Sequence, residues 1–96
     1  MLQLNVSIHR KNPGYEVKAI ITLPKLGGQI DEIVEDLIKF RNKLEQVVPS
    51  SFKPKYNITA EELLVTIKTD LASQAQSIRY KLEDMIKSTA RALKHL

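Results

Sequence analysis

ITAEELLVTIKTDLASQAQSIRYKLEDMIKSTARALKHL, residues 58–96, is the stretch whose reading decides the fold. It holds no glycine and no proline. Thr59 is a favourable N-cap and Glu62 stands three residues on, the spacing of a capping box. Ile58 and Leu63 are placed for a hydrophobic staple across it. From there Leu64, Ile67, Leu71, Ala75, Ile78, Leu82, Ile86, Thr89 and Leu93 advance by threes and fours. That is an eleven-residue repeat, the period of a nearly straight or slightly right-handed helix. Asp70, Ser73 and Ser77 are weaker helix formers, but the stripe keeps its phase through them. The pattern predicts one long helix over residues 59–95.

Working backward from it, PSSFKPKYNI (residues 49–58) reads as a loop, with two prolines. Before it, Ile30, Ile33, Val34, Leu37, Ile38, Arg41, Leu44 and Val48 share one helical face. Asp31, Glu32, Glu35 and Asp36 crowd the start and Lys39, Arg41 and Lys43 the later half, an order that suits the helix dipole. A first helix is predicted over 29–48, stopped by Pro49. At the N-terminus, Leu2, Leu4, Val6 and Ile8 alternate with Gln3, Asn5, Ser7 and His9. After the turn residues Lys11-Asn12-Pro13-Gly14, Tyr15, Val17, Ala19, Ile21 and Leu23 alternate again. Period two marks half-buried strands, so residues 1–24 read as a β-hairpin with one apolar face. The expected fold class is α+β, a single domain over 1–96 built as ββαα. No repeat of whole units is visible.

Lengths give the expectation about self-association. A helix of 59–95 is about 54 Å long, against about 28 Å for the first helix and about 27 Å for an eight-residue strand. The hairpin and first helix then cover only half of it. Ile78, Leu82, Ile86 and Leu93 are left for a second copy of the chain, so a homo-oligomer, most simply a dimer, is expected.

Composition limits the function. The chain has 96 residues, no cysteine, a formal charge of +4 and a pI near 9.4. Cysteine chemistry is excluded, and an intracellular, cytoplasmic setting is weakly favoured. No apolar run approaches a membrane span and no signal-peptide pattern is present. His9 and His95 have no carboxylates at metal-ligand spacing, and no serine, histidine and acid constellation occurs. Neither a catalytic residue nor a metal or cofactor is expected, and the protein reads as non-enzymatic. Lys25-Leu26-Gly27-Gly28 lacks phosphate-loop spacing and reads as a hinge. The basic end of the last helix (Arg79, Lys81, Lys87, Arg91, Lys94 and His95) is what a helix dipole favours.

The excess positive charge lies in residues 1–28 and in the 49–57 loop. Running the first helix back along the second strand brings its end, that loop and the hairpin turn to one pole. The pole would gather Arg10, Lys11, Arg41, Lys43, Lys53 and Lys55 with Tyr15, Phe52 and Tyr56. Cations interleaved with rings suit single- or double-stranded nucleic acid, phosphates on the cations and bases on the rings. Nucleic-acid binding is therefore the first functional expectation. The second is a structural or adaptor protein, such as a viral or phage assembly factor or a complex subunit, whose long helix docks a protein partner.

Overall fold

The computed structural model describes residues 3–23, 30–59 and 61–93, without the side chains of 30–33. The hinge at Gly27-Gly28 and the terminal Lys94 and His95 lie outside the described residues. The first two strands are as the alternation predicts, β1 (Gln3–Arg10) and β2 (Tyr15–Thr22), antiparallel with Gln3 opposite Thr22 and Arg10 opposite Tyr15. The Lys11 N–H donates to the Gly14 carbonyl at 2.8 Å and closes the turn. Gly14 has φ +89°, and a Cβ there would lie 2.7 Å from the Thr69 carbonyl oxygen. Only glycine fits both the backbone angle and that close approach. The first helix, α1 (Ile30–Val47), follows, and a single 3-10 turn (Ser50–Phe52) leads out of it.

The next segment overturns the long helix. Residues 55–69 are a second hairpin, β3 (Lys55–Thr59) and β4 (Glu62–Thr69), with Thr59 opposite Glu62. The two residues that read as a capping box, Thr59 and Glu62, pair across this hairpin. The physical reason is in the side chains. Leu63, Val65 and Ile67 are fully buried at period two, and Val65, Thr66, Ile67 and Thr69 are β-branched, which a pleated strand accommodates better than a helix. The second helix, α2, spans only Ala72–Ala92. Its 21 residues measure about 32 Å, close to the length of the strands beneath it. The order is therefore ββαββα rather than ββαα, still α+β, with a four-stranded antiparallel sheet in the order β1-β2-β4-β3.

That order has an internal logic. β2 and β4 form the central pair, Tyr15 opposite Thr69 and Thr22 opposite Glu62, and each carries its own hairpin partner outward. The chain is two ββα units joined edge to edge with their inner strands antiparallel. Each helix then packs on the other unit. α1 follows β2 yet lies against β3 and β4; α2 follows β4 and reaches across to β2 and β1.

Both helices cover the same sheet face. Val17, Ala19, Ile21, Leu63, Val65 and Ile67 from the sheet meet Leu37, Phe40 and Leu44 of α1 and Ala75, Leu82 and Ile86 of α2 in one core. The helix stripe is thus covered within the chain. Leu82 and Ile86 are fully buried, and Ile78 and Leu93 pack partly buried against the same core. All four side chains assigned to an oligomer interface thus contribute to the packing of one chain. The premise, a rod too long for its own body, fails because the rod's first part, through Thr69, is strand and turn.

Candidate nucleic-acid interface

The other face of the sheet has nothing of the described chain over it. Its side chains follow from the register as four cross-strand rows: Gln3, Thr22, Glu62, Thr59; Asn5, Ile20, Leu64, Asn57; Ser7, Lys18, Thr66, Lys55; and His9, Glu16, Lys68. Ile20 and Leu64 sit side by side at its centre, half-buried and outside the core cluster. Toward the β1–β2 turn the face becomes basic. Lys18 and Lys55 both flank Thr66, two strand spacings or about 10 Å apart. Lys68 lies two residues further along β4, diagonal to both. Lys11 reaches this end too, with its Nζ 3.9 Å from Glu16 Oε1. At the opposite end no lysine stands among the described residues, and Glu62 supplies an acid. The face is therefore polarised, with four lysines and one glutamate at one end.

Among the described residues, Lys18, Lys55 and Lys68 form no ion pair. Glu16, directly opposite Lys68 and two residues from Lys18 on the same face, is the one carboxylate on the described strands among the three lysines, which keep a net positive charge. His9 borders the group, its Nε2 hydrogen-bonded to Ser7 Oγ at 2.9 Å.

The residues expected at a basic and aromatic pole separate in space. Lys11 and Lys55 belong to the open face. Arg10 and Lys53 stand at its rim. Arg10 borders a cleft with the turn and Asp70, and Lys53 borders one with the end of α1. Lys53 is left-handed, φ 50°, at the exit of the 3-10 turn. Arg41 and Lys43 are on α1, in the helix layer. Arg41 Nε lies 3.7 Å from Glu45 Oε1, and its Nη2 donates to Asn42 Oδ1 at 3.3 Å. Tyr15, Phe52 and Tyr56 turn inward and pack against the core. They close the end of a small hydrophobic core, so no ring lies ready to stack on a base. Lys18 and Lys68 are missed by the sequence reading. Lys18 is legible as the polar side of β2; Lys68 becomes so only once β4 is a strand.

Tyr56 bears the mark of its inward turn. Its hydroxyl is buried with no hydrogen-bond partner. Burial, and secondarily the negative charge of Glu45, push its pKa above the ordinary 10.0. The folded chain holds this proton more tightly than the unfolded chain does. The resulting stability is full below the unfolded-state pKa and is lost as pH rises through the higher folded one. Tyr56→Phe is expected to raise stability by about 1 kcal/mol at neutral pH, since it removes an unsatisfied buried group. It should also flatten the decline above about pH 10, as measured by urea unfolding across that range.

Among the described residues, no group of three or more His, Asp or Glu is arranged to hold a metal ion, and no helix is long and apolar enough to cross a membrane. Comparison of the chain with protein-family models, curated proteins and solved structures finds no match.

Proposed function

We propose that this is a small non-enzymatic nucleic-acid-binding protein that holds phosphates at the basic end of its uncovered sheet face. The observation that carries this reading is the placement of Lys18, Lys55 and Lys68 on three adjacent strands, without an ion-pair partner among the described residues and on the face that neither helix covers. A sheet supplies what phosphate binding needs: cations at fixed spacing on a backbone that does not reorganise when the ligand arrives. Docking a protein on α2 has less support, because the apolar side of that helix is already spent on its own sheet.

Fluorescence anisotropy with a labelled oligonucleotide at low salt tests the reading. Lys18→Glu combined with Lys68→Glu is expected to weaken binding about 100-fold, roughly tenfold per lysine. Lys43→Glu, on the helix layer, should leave the affinity within a factor of about two. Unchanged binding in the double variant, with circular dichroism showing it folded, overturns the assignment to this face.

A further inference from the structure

Resting on that reading, we infer that the ligand is double-helical nucleic acid, gripped through both of its backbones, rather than a single strand. Two independent features point there. The first concerns stacking. Sequence-tolerant binders of single strands gain much of their affinity from bases laid on aromatic rings. This chain has five aromatic residues in all, three tyrosines and two phenylalanines, and every one is described. Phe40 is fully buried, and Tyr15, Phe52 and Tyr56 pack against the core. Tyr80, 67% exposed, is on α2 in the opposite layer. The open face offers bases only Ile20 and Leu64, which are aliphatic and half-buried. A single strand there gains phosphate contacts and little else.

The second feature is the spread of the cations. Lys18 on β2 and Lys55 on β3 stand in one cross-strand row with a width of two strand spacings, about 10 Å. That width is comparable to the major groove of a B-form duplex, about 12 Å. Lys18 and Lys55 can meet phosphates on opposite sides of a groove, with Lys68 on the strand between them and Lys11 further along at the β1–β2 turn. One flexible strand running along the sheet meets fewer of them at once. A duplex also presents charge more densely, about one per 1.7 Å of axis. The acids on this footprint are Glu16, facing Lys11, and Asp70 at the rim. They leave the lysines in excess.

The test uses the unmodified full chain. A short DNA duplex, its two separated strands and an RNA duplex of the same length are titrated at several salt concentrations. Either duplex is expected to bind at least about tenfold more tightly than the single strands. The logarithm of the affinity for DNA duplex should fall with the logarithm of salt at a slope near −3.6, the value for four neutralised phosphates. Single strands that bind as tightly as the duplexes, or a duplex slope shallower than about −2, overturn the inference while leaving nucleic-acid binding in place. Failure of every ligand to bind at low salt removes the underlying reading as well.

Discussion

Leu82→Asp is expected to abolish folding. Leu82 is fully buried on the middle of α2, in the same core as Val17, Ala19 and Val65 of the central strands. Deleting a buried leucine side chain alone costs about 2–5 kcal/mol. An aspartate adds a carboxylate with no partner inside an apolar core, several kcal/mol more unless it takes up a proton. A chain of this length has about 5–14 kcal/mol of stability to lose. The losses match the reserve, so the variant should show a collapsed far-ultraviolet spectrum and no cooperative melting. The contrast with an intermolecular role is sharp. A leucine at a seam between copies would tolerate aspartate as a folded, dissociated monomer, visible by light scattering as a smaller mass with an unchanged spectrum. Ile86, equally buried one turn on, should behave in the same way.

That contrast shows where the sequence was legible and where it was not. The first hairpin and α1 could be read because their signals are local. Period two runs through Leu4, Val6 and Ile8, a proline and glycine mark the turn, and a three–four stripe stops at Pro49. Residues 58–69 carry two periods at once. Leu64, Ile67 and Leu71 fit a helix; Leu63, Val65 and Ile67 fit a strand. The local signals favour the helix because Ala60 and Glu61 are not the glycine, asparagine or aspartate that usually announces a hairpin turn. Thr59 and Glu62 meanwhile imitate a helix start. Nothing in the segment itself settles the matter. The edge of β2 does: it needs a partner along its whole length, and β4 provides one from Tyr15–Thr69 to Thr22–Glu62. The remainder of the helix pattern, from Ala75 to Leu93, was sound, which is why its stripe finds cover on this chain's own sheet.

The site followed the same division. Lys11 and Lys55 can be assigned to one end from the order of the elements, although Lys55 opens β3 rather than lying in a loop over 49–58. Which layer each cation occupied could not be read, since that depends on both helices choosing one face of a sheet not yet recognised. The aromatics were placed at the right end and given the wrong direction. At the end of a thin core, a ring gains more by covering apolar side chains than by standing in water, and Tyr56 goes inward even though its hydroxyl finds no partner there.

The rotation of α1 offers the other large test. The sequence stripe includes Leu37, Ile38, Arg41, Leu44 and Val48; the core keeps Leu37, Leu44 and Val48 but takes Phe40 in place of Ile38 and Arg41. Phe40 and Ile38 are two residues apart, on nearly opposite sides of the helix. Phe40 is fully buried, whereas Ile38 is half-buried and outside the core cluster. Phe40→Ala therefore removes the largest buried side chain of the molecule and leaves a cavity between α1 and the sheet. The expected cost is about 3–5 kcal/mol, a drop in Tm of more than about 12 °C for a domain of this size. Ile38→Ala should cost about 1 kcal/mol. Thermal and urea unfolding of the two variants side by side read the phase of the helix directly. The opposite ranking would mean that α1 is turned by roughly 50° toward Ile38 and Arg41, with Leu37 and Leu44 still on the sheet side. That would bring Arg41 toward the β3–β4 half of the sheet together with Glu45, its neighbour one turn on at 3.7 Å.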